Sequence, residues 1–259
     1  MKRVRVAAII PARMNSSRFP RKALLRMEGL PMVEHVRRRA LRCAGFSDVV
    51  VATCDQEIAD VIRGYGGRCV MTSPDHPTAS DRVAEAMGQL DCTHVVNVQG
   101  DEILVLPGDL ERLVQAIEAQ PELPAWNALG KLERAEELSD PSLVKCVISG
   151  SRRILYCSRN FVWLGEKLGA DFHPVRMILG ILGFRRDFLE RYGKMPRGPL
   201  ECAEPIDQTR VIEHDVVLQG VEFSKGYPGI NVPREAEVVQ RLLSEDPAQQ
   251  AMLQEILSG

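Results

Sequence analysis

The stretch VRVAAIIPARMNSSRFPRKAL, residues 4–24, decides how the fold is read. Its opening run, VRVAAII (4–10), has the β-branched, doubly apolar character of a buried parallel strand. The polar segment after it sets Arg13, Arg18, Arg21 and Lys22 among small polar residues, although the net charge of the whole chain is only −2. A strand-to-helix connection in an α/β unit takes about 2 to 6 residues. This one is longer. Open α/β sheets bind their ligands at the carboxyl ends of strands, so the loop is a candidate anion site; read alone, it is equally well a solvated surface loop.

Outward from that stretch, the same alternation repeats. SDVVVAT (47–53), RCVMT (68–72) and THVVNVQ (93–99) read as further buried strands. PMVEHVRRRALRCAG (31–45), DQEIADVIRGYGG (55–67) and SDRVAEAMGQL (80–90) carry apolar residues at helical spacing, and two of them run into glycines that suit a helix stop. Strands alternating with helices imply βαβ units and a mostly parallel central sheet flanked by helices, an α/β fold. Beyond about residue 140 the pattern loosens. LVKCVIS, RRILYCSRN and VRMILGILGFRR read as strands, RDFLERYG and AEPIDQTRVIEHD as helices, and WLGEKLGADFHPV as an irregular excursion. The segment from Val232 is a long helical pattern with a break at Asp246-Pro247. No repeat or flexible linker divides the chain, so a single domain over 1–259 is expected.

Composition narrows the class. With 45% hydrophobic and 26% charged residues the chain is globular in type. Its basic residues are dispersed among acids, which argues against nucleic-acid or membrane-surface partners. The richest basic run, VRRRALR (36–42), reads as a solvated helix face. No apolar stretch approaches the roughly 18 to 20 residues that span a bilayer, and the apolar start gives way to PARM too early for a signal peptide, so a cytoplasmic protein is expected. Seven cysteines with no CxxC pair point to reduced thiols rather than disulfides or a zinc knuckle.

The motifs that are missing also matter. Neither GxGxxG nor GxxxxGK[ST] is present, which removes the usual dinucleotide and P-loop fingerprints. In their place NVQGDE (97–102) closes the fourth strand. A carboxylate just after a buried strand and a glycine can hold a divalent cation by its oxygens. Asp101 can equally cap the next helix.

Three ordered motifs, IIPARMNSSRFPRKAL, MTSPDHPTASDRVAEA and VVNVQGDE, resemble those of the 3-deoxy-manno-octulosonate (Kdo) cytidylyltransferases, which typically read IPAR…SxRLPGKPL, DHxSGTERLAE and VNVQGDEP. Weaker similarity runs on through LYCSRN, LGILGFRRDFLERY, PLECAEPIDQTR and PGINVPREAEVV, over nearly the whole chain. The resemblance implies a Rossmann-like nucleotidyltransferase fold (GT-A-like), usually dimeric, that joins CTP to an acidic sugar with Mg²⁺ and releases pyrophosphate for lipopolysaccharide biosynthesis. It implies a CTP-binding half to about residue 140, an acceptor and dimerisation subregion to about 230, and a terminal helix over about 232–259. Arg13, Arg18 and Lys22 then match the phosphate-binding loop, with Pro11 and Ala12 beside the pyrimidine, while Arg21 replaces a family glycine and receives no role. Ser80, Asp81 and Arg82 fall near the nucleotide, and Gln99 faces the base or ribose; the plain alternative makes Ser80 a helix N-cap and leaves Arg82 solvated. Arg13, Lys22 and Asp101 become the catalytic set, and Asp101 a metal ligand.

The departures from the family bear on metal and acceptor. Where the family has VDTPEDL the chain has INVPREA, so Asn231 stands for the second metal-binding aspartate; its alternative role is to cap the last helix. The same comparison assigns the acceptor to Arg159, Ile178, Leu182, Glu201, Glu204 and Gln208. Ile178 and Leu182 replace a histidine and a tyrosine, which makes that pocket less polar and leaves room for a different sugar acid or 2-keto acid. A non-catalytic nucleotide-binding homologue is the reading from another class, and the joint presence of Arg13, Lys22 and Asp101 weighs against it.

Overall fold

The computed structural model describes residues 3–16, 18–168 and 172–258. The first strand, β1 (Val6–Ala12), is buried along its whole length. After the cationic loop come a short 3-10 turn at Lys22–Leu24, a small hairpin of β2 (Arg26–Met27) and β3 (Leu30–Pro31), and α1 (Met32–Leu41). The alternation read from sequence then appears as β4 (Phe46–Thr53), α2 (Gln56–Gly64), β5 (Cys69–Met71), α3 (Ala79–Met87) and β6 (His94–Val98). α4 (Pro107–Ala119) and β7 (Ala125–Gly130) follow, then the paired strands β8 (Lys145–Ile148) and β9 (Ile154–Ser158). The rest of the chain forms α5 (Val162–Leu168), the long β10 (Val175–Arg185), α6 (Arg186–Tyr192), α7 (Pro199–Ala203), α8 (Asp207–Glu213), β11 (Leu218–Glu222), α9 (Pro233–Glu245) and α10 (Pro247–Ser258).

The main sheet runs β11-β7-β10-β6-β1-β4-β5. Its strands share one direction except β10, which lies antiparallel between β6 and β7. The sheet is therefore mostly parallel, with β10 reversed where the second half of the chain joins the first; β8 pairs antiparallel with β10 and β9 with β8, so β9 at that margin is reversed as well. α1, α2 and α4 cover one face through Val36, Ile58 and Leu113. α3, α6 and α8 cover the other through Val83, Phe188 and Val211.

Several sequence expectations change. VRRRALR is not a solvated face: Arg37 and Arg39 are buried. Arg37 forms two 2.7 Å bonds to the fully buried Glu34 carboxylate, which also accepts from Arg38. Arg38 and Arg42 reach the carbonyls of Ile256 and Glu255 at the end of α10, where a helix C-terminus favours cations. The pattern AEPIDQTRVIEHD is not one helix. Pro205 holds Glu204 extended (φ −133°, ψ 105°), and α8 begins only at Asp207. The segment read as irregular is helical over Val162–Leu168, and residues 169–171 lie outside the described residues. The break at Asp246-Pro247 is present, with Asp246 extended at ψ 119°. All seven cysteines are free thiols. Among the described residues no helix is long and apolar enough to cross a membrane.

Candidate active site

The carboxyl ends of β1 and β6 open into one cleft, and the cationic loop forms its wall. Pro11 and Ala12 line it from the end of β1, Arg13, Ser16, Arg18 and Lys22 from the loop, and Gln99, Gly100 and Asp101 from just beyond β6. His76, Thr78 and Arg82 contribute from the entry to α3, and Asn231 from the turn before α9. Local packing explains the convergence. Arg21 N–H donates to Met14 O and Met14 N–H to Asp55, at 2.9 Å each, which folds the loop back over the sheet. Gly100 lies so close to β1 that a Cβ there would meet Pro11 O at 3.0 Å. Ile230 N–H donates to Asp101 O at 3.3 Å, and this brings Asn231 to the rim beside Asp101.

The polar groups are paired across the cleft. Lys22 Nζ lies 2.7 Å from Asp101 Oδ2, with both side chains largely shielded. Arg18 Nη2 donates to Asn231 Oδ1 at 3.0 Å. Asp101 and Asn231 thus present two oxygens to one space, and their chemistry suits a hard cation such as Mg²⁺, which takes few protein oxygens and fills its shell with phosphate and water. Among the described residues no cluster of three His, Cys, Asp or Glu offers an all-protein cage. Glu102 turns away and accepts from Gly180 N–H at 2.7 Å. Burial, helped by the neighbouring Asp101 charge, pushes its carboxyl up to about 8.

The alternative roles considered for these residues are excluded by the geometry. Asn231 does not cap α9: the Glu235 carboxylate takes the N–H groups of Asn231 and Val232. The N-cap of α3 is Thr78, not Ser80; Thr78 Oγ1 accepts from Asp81 N–H while the Asp81 carboxylate takes Thr78 N–H and O–H. That capping box was legible as T-x-x-D in TASD. Asp81 is thereby committed to the helix start, and Ser80 is buried with its Oγ toward Asp207; neither lines the cleft. Arg82 is not solvated, since it bonds Thr72 Oγ1 and Ser73 O at the cleft edge. Arg21, which has no cleft role, occupies a left-handed backbone (φ 61°) and pairs with Glu57 at the surface.

None of the six expected acceptor residues lines this cleft. Leu182 is 1% exposed and belongs to the hydrophobic core, with Ile178 packed against it. Glu201 is buried in a paired bond with Arg210, at 2.6 and 2.8 Å, that braces α7 on α8. Arg159 and Glu204 hold each other through Arg159 N–H and Glu204 Oε1 at 2.8 Å. Gln208 reaches into the sheet to Asn127, a buried residue that sequence reasoning did not single out because AWNALG reads as an ordinary strand.

Residues 7–223 match the cytidylyltransferase family model. An Escherichia coli 3-deoxy-manno-octulosonate cytidylyltransferase is 34% identical, over 94% of this chain and 98% of its own length. An 8-amino-3,8-dideoxy-manno-octulosonate cytidylyltransferase of Shewanella piezotolerans is 35% identical, over 93% and 99%. Among solved structures, a CMP:2-keto-3-deoxy-manno-octonic acid synthetase complexed with CTP superposes with a TM-score of 0.87 at 33% identity, covering 93% of this chain and 99% of that one. A Bacillus anthracis glucose-1-phosphate thymidylyltransferase shares the fold alone, with a TM-score of 0.67 at 15% identity, over 93% of this chain and 96% of its own. The chain belongs to the cytidylyltransferase family, among the nucleotidyltransferases related to the manno-octulosonate enzymes.

Proposed function

We propose that the protein transfers the cytidylyl group of CTP to a manno-octulosonate sugar acid, giving a CMP-sugar and pyrophosphate, with Mg²⁺ held by Asp101 and Asn231. The observation that carries this reading is the convergence of Arg13, Arg18, Lys22 and Asp101 on one cleft at the strand ends. In-line attack by the sugar's own hydroxyl on the α-phosphorus builds negative charge on the departing pyrophosphate, and fixed cations stabilise that charge. Arg13 makes no ion pair among the described residues and lines the cleft where a phosphate can reach it, whereas Lys22 and Arg18 must exchange their present partners. The metal, when bound, neutralises charge across the phosphates. Gln99 and the backbone at Pro11 and Ala12 bound the side of the cleft suited to a pyrimidine.

The sugar is 3-deoxy- or 8-amino-3,8-dideoxy-manno-octulosonate, since relatives bearing both names are equally similar. Pyrophosphate release from CTP across a panel of sugar acids, with Mg²⁺ and with chelator, tests the reading. Turnover with one of the two sugars and loss on chelation are expected; no release with any acid would overturn it. We propose further that the protein is a homodimer, on the support of the exposed apolar residues Leu155, Tyr156, Val162 and Trp163 on β9 and α5. Sedimentation measures this directly, and a monomer at micromolar concentration would contradict it.

A further inference from the structure

The face of the sheet beneath α3, α6 and α8 carries a buried polar row. There Leu182 of β10 stands opposite Asn97 of β6 and Asn127 of β7, and all three are buried. Gln99, which lines the cleft, is two residues beyond Asn97 and so shares this face. Among the described residues the Asn97 side-chain amide has no hydrogen-bond partner. The Asn127 amide is fully committed.

Asn127 has only one arrangement open to it. Its Nδ2 lies 2.7 Å from Ala128 O and 3.1 Å from Leu179 O. Carbonyls only accept, so the NH₂ group must face them and Oδ1 must face away. Gln208, in the first turn of α8, places Nε2 2.8 Å from that oxygen. Its amide is oriented in turn, with nitrogen inward and Oε1 left to accept. Among the described residues no donor reaches Oε1, yet it is not one of the fully enclosed, unpartnered atoms. The backbone thus fixes Asn127, and Asn127 fixes the polarity of Gln208.

We propose that Asn127 is a positioning residue for acceptor recognition: it holds Gln208 with its oxygen presented, so the site takes the sugar acid through a hydrogen-bond donor, a hydroxyl or an ammonium group. This rests on the reading of the protein as a sugar-acid cytidylyltransferase. Leu182, lying between the two asparagines, adds no competing polar group.

A double-mutant cycle over Asn127→Ala and Gln208→Ala tests it, with the Michaelis constants for sugar acid and for CTP measured separately. Each single change should raise the sugar-acid constant about tenfold, the scale of one lost hydrogen bond, and leave that for CTP within about twofold. The double variant should be no worse than the poorer single. Additive losses, or equal rises in both constants, would overturn the proposal. Gln208→Glu keeps it falsifiable if Asn127→Ala does not fold. Ionised, the new carboxylate sets oxygen against Asn127 Oδ1; protonated, it donates there as the amide does. Relative to wild type, its sugar-acid constant should therefore recover as pH falls from about 8 to about 6. The neighbouring titratable groups Asp207, Glu201, Arg210, Tyr192 and Asp81 are common to both proteins, so the comparison isolates residue 208. A pH-independent ratio would overturn the proposal. Wild-type protein that turns over no sugar acid refutes the functional reading itself, whereas normal turnover with unaffected variants refutes only the role of Asn127.

Discussion

Replacing Asn231 by Asp puts a full negative charge where the cleft now holds a neutral amide. Two partners compete for it. At the 3.0 Å separation between residue 231 and Arg18, a unit pair gains about 1.4 kcal/mol in a water-like dielectric. That medium is the appropriate one because Arg18 is exposed. A divalent ion at about 2.1 Å, the usual magnesium–oxygen distance, gains about 4 kcal/mol on the same scale. The difference of about 2.6 kcal/mol favours the metal, and repulsion from the triphosphate and from Asp101 takes back a part. A fall of about tenfold in the Mg²⁺ concentration for half-maximal rate, about 1.4 kcal/mol, is the expected outcome for Asn231→Asp. Pyrophosphate release against Mg²⁺ at saturating CTP measures it. An unchanged midpoint, together with full activity of Asn231→Ala, would refute the reasoning and reduce Asn231 to an anchor for Arg18.

Asp101→Ala should abolish Mg²⁺-supported turnover; near-normal rates at excess CTP would remove Asp101 from the reaction. Lys22→Ala should lower kcat about 10²-fold, the usual effect of deleting one preorganised donor, and a change confined to KM would make Lys22 a ground-state binder. Arg21 sits at φ 61°, which costs a residue with a Cβ about 1–2 kcal/mol. Arg21→Gly should therefore be more stable than Arg21→Ala by about 1 kcal/mol in denaturant titrations, because both lose the same exposed pair with Glu57 and only one keeps the strain; equal stabilities would show the left-handed turn to be costless. Burial holds the His35 imidazole at about 4, below its ordinary 6.5, with Nε2–H donating to Met27 O. The unfolded chain then binds a proton that the folded one does not, so stability is lost as pH falls from 6.5 toward 4, by up to about 3 kcal/mol; acid titration of His35→Gln should show a flatter profile over that window.

The first half of the fold was legible because its signals are local. β1, β4, β5 and β6 are short apolar runs bounded by turns, and period alone separates them from α1, α2 and α3. What escaped is set by partners far along the chain. Nothing in VRMILGILGFRR says that β10 runs against its neighbours, and its register there sets Leu182 between two asparagines. VRRRALR looked solvated because its partners beyond Glu34 lie far along the chain: the backbone carbonyls of Tyr65, Val105, Glu255 and Ile256, and the Tyr65 ring under Arg38. At the site, the loop cations and Asp101 could be gathered by motif, and Asn231 by its departure from one. Ser80 and Asp81 were drawn in by the same motif, yet the capping box turns them toward the protein. Asn127 had no signal at all, since its role exists only through the register of β7 and β10 and the approach of α8.

The pairing inside the cleft bears on why a slightly acidic chain loads its first loop with cations. Asp101 is held by Lys22 and Asn231 by Arg18 before any substrate is considered. In the proposed reaction those oxygens turn to the metal and those cations to the phosphates. Drawing away either set alone would strip a shielded charge of its partner, and for Lys22 and Asp101, whose side chains are 16% and 13% exposed, that is unfavourable. The metal and the triphosphate together remove both penalties, because each supplies the charge that the other displaces. Their affinities are then coupled, each raising the other by the same factor. In the proposed reaction the loop cations would hold the oxygen donors in place for the metal and pass to the phosphates when the pair arrives, which would tie CTP binding to the presence of the ion.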